Sequence, residues 1–214
     1  MNNRIKFHDI IFFTLKSKTV LIYKFLLRSL RYVSGGDEPV KFIVGCDLEE
    51  FRRYLKRIGL YKKEGELSGL EIMLKNNLLN LIVWREDGEI IGHAMWHGSN
   101  TEEHRKGDAR DKEDREILER LLGGKKSFVE LHEVWLTKEY RGKGYGWQFF
   151  EFFEQFMRDK GYESIIYYAY NPAAIAICRK RGYKEAYGIE ETGPDGETQT
   201  AYVFHLPLKK NLKR

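Results

Sequence analysis

A mixed α/β or α+β sheet with at least one parallel crossover is the fold that this 214-residue sequence predicts. Three observations carry the prediction. From about residue 40 to 206, short apolar strand-like runs alternate with amphipathic helical ones. Two of the strand runs flank Asp87-Gly88, a hairpin signal. A strand, a helix and another strand then follow one another between residues 127 and 170, the order that a crossover requires.

The elements can be justified in turn. "VKFIVG" (40–45) is a short strand. Asp47 is placed to cap a helix over 47–58, with Glu49 and Glu50 in its first turn, Lys56 and Arg57 in its last, and Gly59 as its stop. "ELSGLEIMLKNN" (66–77) is a second helical segment, interrupted by Gly69. "LLNLIVWRED" and "EIIGHAMWHGS" are the hairpin strands. The charged stretch 101–124 holds a helix, "DKEDREILERLL", expected as a solvated surface helix in an insertion (101–126). "SFVELHEVWLT" (127–137) is apolar on both faces apart from Glu130, His132 and Glu133, as in a strand buried on both sides. Residues 146–160 repeat Phe149, Phe153, Phe156 and Met157 at helical spacing, which is core packing, and Gly161 closes that helix. "SIIYYAY" is a buried strand and "AAIAICRKR" a helix ending at Gly182. Two last strands, near 184–191 and 198–206, enclose the turn "TGPDGE".

Charge divides the chain. Residues 1–34 hold seven Lys or Arg against Asp9 alone, a net +6 within a total of +5, so the remaining 180 residues sum to −1. A neutral body argues against a nucleic-acid-binding face. We expect a basic, apolar extension over 1–38, one domain over 39–208 and a basic tail over 209–214. Lys24, Arg28 and Arg31 form one basic stripe. It suits docking on an anionic membrane surface or a partner, or else a swapped helix or a start codon assigned too early. Residues 1–34 are expected to be dispensable for the fold. Apolar runs broken by charge are too short to span a bilayer, and His8 and Asp9 interrupt any secretory signal. Two distant cysteines, Cys46 and Cys178, fit a reducing cytoplasm rather than a disulfide framework. His93 and His97 share a strand face but have no third ligand at zinc spacing, so no metal is expected.

The most informative stretch is "EYRGKGYGWQFF" (139–150), where Gly142, Gly144 and Gly146 lie between a buried strand and a helix. At such a junction backbone amides lack partners and the helix dipole is positive, so an anion fits, and glycines let a phosphate approach the backbone. Arg141 and Lys143 add charge. A pyrophosphate is the natural guest. The spacing matches neither GxxxxGK[ST] nor GxGxxG. It does match R-x-x-G-x-G through Arg141, Gly144 and Gly146, and here the sequence resembles the GNAT superfamily of acyl-CoA-dependent N-acyltransferases. "NPAAIAICRKRGYKE" is similar to that family's second motif, through Asn171, Ala174, Lys180, Gly182 and Tyr183.

The resemblance implies a mostly antiparallel sheet with a splayed parallel strand pair in its middle and helices on both faces. It also implies N-acetyl transfer from acetyl-CoA to a primary amine by direct attack in a ternary complex. The coenzyme would lie along Val134, Trp135 and Leu136, with its pyrophosphate on Arg141, Gly142, Lys143, Gly144, Tyr145, Gly146 and Trp147, and with Asn171, Ala174 and Cys178 along the thioester slot. Candidate bases are Glu130, Glu133 and His132; by spacing, Glu130 and His132 share a face and Glu133 points away unless the strand bulges. Burial is expected to raise such a carboxylate's pKa toward neutrality. Family members carry a Tyr general acid where this chain has Cys178, which leaves the acid open among Cys178, Tyr170, Tyr168 and water. Acetyl-CoA, a small-molecule or protein amine, and a second copy of the chain are the expected partners. A non-catalytic acyl-CoA-binding module is the competing reading.

Overall fold

A computed structural model describes residues 40–61, 64–101, 111–123, 127–192 and 198–208. The N-terminal extension, the "TGPDGE" turn and the basic tail expected from the sequence lie outside the described residues. The chain from Val40 onward is one unit, built in the order β1 (Lys41–Val44), α1 (Leu48–Ile58), α2 (Glu64–Lys75), β2 (Asn80–Glu86), β3 (Glu89–Asn100), α3 (Asp111–Leu122), β4 (Ser127–Leu136), α4 (Tyr145–Asp159), β5 (Ser164–Ala169), α5 (Pro172–Lys180), β6 (Lys184–Thr192) and β7 (Thr198–Pro207).

Local chemistry sets the boundaries. Asp47 accepts a hydrogen bond from the Glu50 amide at 2.9 Å, and Gly59 takes φ 72° to close α1. Asp87 and Gly88 both have positive φ, the twist that a tight hairpin needs between β2 and β3. Asn171 caps α5 by accepting from the Ala173 amide at 2.8 Å, with Pro172 in the first turn. Gly69 does not break α2, because Leu67 and Leu70 on either side of it are buried against the sheet core.

The seven strands form one sheet in the order β1-β2-β3-β4-β5-β7-β6. All neighbours are antiparallel except β4 and β5. On one face α4 lays Phe149, Phe150, Phe153 and Met157 against Trp84, Trp96 and Leu131, and α5 adds Ile175 and Cys178. On the other face two separate apolar clusters form. One packs α1 and α2 on β2 and β3, through Phe51, Leu55, Leu67 and Val83. The other packs α3 on β4, β5 and β7, through Leu118, Leu122, Phe128 and Val203.

That last cluster corrects the expectation of a solvated surface helix. Leu118 is fully buried and Leu122 nearly so, so α3 covers part of the sheet core with one stripe while Glu116, Glu119 and Arg120 face outward. Leu118→Ala is expected to destabilise the fold by about 2–5 kcal/mol in denaturant titrations. A change near zero would return α3 to the surface.

Candidate active site

Two irregularities in β4 create the site. First, its pairing with β3 runs His97↔Glu130, Trp96↔Leu131, then Met95↔Glu133, leaving His132 as an extra residue. This is a β-bulge. Residues opposite one another share a sheet face, so the bulge turns Glu130 and Glu133 to the same face, together with His97 and Met95. The alternation expected from spacing is thereby broken at His132, and all three candidate bases converge.

Second, β4 pairs with β5 only at Val129↔Ile165, Glu130↔Ile166 and Leu131↔Tyr167. From the bulge onward β4 continues to Leu136, while β5 stays on β7 through Ala169↔Tyr202. The two strands therefore part at His132. Val134, Trp135 and Leu136 border the gap on the β4 side. Tyr170, 39% exposed, and the capping Asn171 stand at the end of β5.

The glycine loop follows directly. Gly142 and Gly144 take φ 80° and 85°, a backbone region that costs side-chain-bearing residues strain, and an added Cβ at either would meet only open space. Gly144 is the N-cap of α4 and provides no side-chain cap, so the first-turn amides, those of Tyr145, Gly146 and Trp147, keep their donor capacity. Arg141 is held at the mouth of the gap. Its Nε donates to the Leu136 carbonyl at 2.9 Å and its guanidinium lies 5.1 Å from the Trp135 ring centre. The Trp135 indole N–H is buried without a hydrogen-bond partner. Lys143 lies over Tyr140, and Tyr145 donates its hydroxyl proton to Glu86. The result is an exposed, cationic, amide-rich turn whose chemistry suits a diphosphate.

Glu133 sits in a hydrogen-bonded chain. Tyr61 donates to Oε2 at 2.6 Å, His93 Nε2 lies 3.0 Å from Oε1, and His93 Nδ1 lies 3.2 Å from the Tyr54 hydroxyl. Burial pushes the Glu133 pKa up, but the hydrogen bond and charge of His93 and the hydroxyl of Tyr61 outweigh it and hold the carboxyl below the usual range. For Glu133 this reverses the expectation of a pKa raised toward neutrality. Glu130 is 2% exposed, 3.5 Å from His132 Nδ1.

Cys178 lies inside the α4–α5 core, fully buried, and burial followed by the nearby Glu154 charge pushes its thiol up to about 12. Ala174 lies partly buried on the same helix. Tyr54, Tyr61, His93 and His97 enter the site without having been assigned a role from sequence. The register between β3 and β4, strands that α3 separates in the chain, brings in His93 and His97, and the packing of α1 and the residues just after it on the sheet brings in Tyr54 and Tyr61. Among the described residues one group of three side chains, His97, Glu130 and His132, offers donor atoms within 4.8 Å of one another.

The fold recurs widely. A phosphinothricin acetyltransferase from Sinorhizobium meliloti, solved with acetyl-CoA, superposes with a TM-score of 0.55 at 17% identity, over 82% of this chain and 91% of its own. The Drosophila melanogaster polyamine N-acetyltransferase gives 0.55 at 14% identity over 78% and 100%. Arylalkylamine N-acetyltransferase 2 from Aedes aegypti gives 0.57 at 14% over 80% and 100%. At such identities the likeness is one of fold. No curated protein matches the chain. The sequence model of the acetyltransferase (GNAT) family matches residues 47–183, which take in the bulged strand, the glycine loop and the Asn171 helix. This chain belongs to the acetyltransferase (GNAT) family, whose members are acyl-CoA-dependent acetyltransferases.

Proposed function

We propose that the protein transfers an acetyl group from acetyl-CoA to a primary amine by direct attack in a ternary complex. The observation that carries this reading is the parting of β4 from β5 at His132, directly before the uncapped glycine turn of α4. A thioester arm fits such a gap while its pyrophosphate rests on the amides of residues 142–147 and on Arg141. Val134, Trp135 and Leu136 line the arm, and Asn171 and Ala174 flank it. The acceptor enters on the opposite side of the gap, over the face that bears Glu130, His132 and Glu133.

Glu130 accepts the ammonium proton, directly or through water, and the neutral amine attacks the acetyl carbon. The C–S bond breaks as the C–N bond forms; the nitrogen sheds its second proton and the leaving thiolate takes one up, so the ammonium proton is the net proton released. Cys178 stays protonated at neutral pH but is enclosed, so the exposed Tyr170 is the donor that this reading assigns. Glu133, saturated by Tyr61 and His93 and held ionised, orients the cationic acceptor and makes a weak base. Neighbours that act on polyamines, agmatine and arylalkylamines are consistent with a small cationic amine. Two free cysteines suit the cytoplasm.

Thiol release from acetyl-CoA with a panel of primary amines tests this. We expect amine-dependent release, with intersecting double-reciprocal lines. Tight acetyl-CoA binding with no release by any amine would instead identify a non-catalytic acyl-CoA-binding module.

The Glu133 chain also fixes an acid response. A folded pKa held below the unfolded value of about 4.3 contributes stability that is present above that pH and lost as pH falls through the folded pKa. Glu133→Gln should therefore lower the melting temperature at pH 7 and flatten its fall between about pH 5 and 3. An unchanged acid limb would show that the carboxylate is not held ionised.

A further inference from the structure

We propose that Glu130, His132 and His97 form a proton relay that carries the acceptor's proton from the buried carboxylate to solvent; this rests on the reading of the protein as an N-acetyltransferase. His132 is the bulged residue of β4, and His97 stands on β3 opposite Glu130. His132 Nδ1 lies 3.5 Å from Glu130 Oε1, and His132 Nε2 lies 2.5 Å from His97 Nδ1. The two ring centres are 4.6 Å apart with planes tilted by only 24°. That separation falls just short of the nitrogen gap plus the two ring radii, which is its upper limit, so centres and nitrogens are nearly in line and the rings meet edge to edge with their nitrogens facing each other. Such an arrangement shares one proton between two lone pairs.

The same three side chains are the one group among the described residues with metal-ligand chemistry. A metal, however, needs lone pairs that converge on a point to one side of both rings, at about 2.0–2.1 Å from each nitrogen. Nitrogens aimed at one another at 2.5 Å leave no such point between them. The geometry favours the relay.

Exposure follows the same path. Glu130 is enclosed, His132 is half open with 37% of its side chain exposed, and His97 lies partly exposed beside it. The charge of His132 adds, as a smaller cause, to what holds the nearby Glu133 carboxyl below its usual range. In one turnover the ammonium gives a proton to the Glu130 carboxylate, which passes it to His132 Nδ1. His132 releases its Nε2 proton to His97 Nδ1, and His97 releases its Nε2 proton to water. One proton leaves, and both rings end as the opposite neutral tautomers, reset by rotation or by solvent exchange.

His97→Ala tests the relay by chemical rescue, in the full chain with whichever amine supports turnover. We expect kcat to fall by at least about tenfold, toward the low end of what a positioned proton carrier supplies. The KM for acetyl-CoA and the melting temperature should stay near wild type, and added imidazole should restore the rate in a saturable way. Wild-type kcat in His97→Ala across the pH range would overturn the relay. So would a lost rate that imidazole does not restore, or wild-type activity abolished by a chelator and recovered with zinc, which would make the triad a metal site. Failure of the wild type to turn over any amine would strike the acetyltransferase reading itself, before the relay is reached.

Discussion

Replacing Gly144 by Asp is expected to weaken acetyl-CoA binding by at least about tenfold, a loss of roughly 1.4 kcal/mol. The position is the N-cap of α4, and its side chain would stand in open space where the proposed diphosphate lies. Two effects add. The φ of 85° strains any side-chain-bearing residue, and a carboxylate there opposes an anion in the field of the helix terminus. Gly144→Asn separates them, since Asn has the same shape, tolerates the left-handed region and carries no charge. Binding by calorimetry should rank wild type first, Asn next and Asp far behind. An Asp variant within about twofold of wild type would place the pyrophosphate elsewhere.

Glu130→Gln is expected to lower kcat/KM by about 10² to 10⁴ and to leave acetyl-CoA affinity nearly unchanged. The variant keeps the volume and removes only the site's most enclosed basic oxygen pair. Glu133→Gln should behave differently, because that carboxylate already accepts from Tyr61 and faces His93 and is held ionised. Its loss is expected to raise the acceptor's KM and reduce stability more than it reduces kcat. Full activity in both variants would exclude a carboxylate base and promote His132. Loss of folding in Glu130→Gln would assign the residue to structure.

Much of this was legible from residue chemistry close in sequence. The Asp47 cap, the Asp87-Gly88 hairpin and the Asn171 cap are local hydrogen-bonding or φ requirements, and each appears where the residues placed it. The glycine loop was legible for the same reason, since positive φ at Gly142 and Gly144 is a property of one residue at a time. The bulge at His132 was not legible. It depends on how β4 meets β3, and a single unpaired residue there reverses the direction of Glu133. The partnership of His97 with His132 and of Tyr61 with Glu133 links positions 35 and 72 residues apart. Packing of the whole sheet fixes those pairs. The α3 helix was misjudged because its charges dominate its composition, while two leucines one turn apart decide where it lies.

The proposed mode of action rests on one spatial claim, that the parting of β4 and β5 holds the thioester while residues 141–147 hold the pyrophosphate. A crystal structure with acetyl-CoA bound tests it most directly. The account predicts the acetyl carbonyl between Val134 and Tyr170, the diphosphate oxygens within hydrogen-bond distance of the amides of residues 142–147, and the acetyl carbon facing Glu130. Acetyl-CoA bound outside the gap, or with its diphosphate away from the glycine loop, would contradict it.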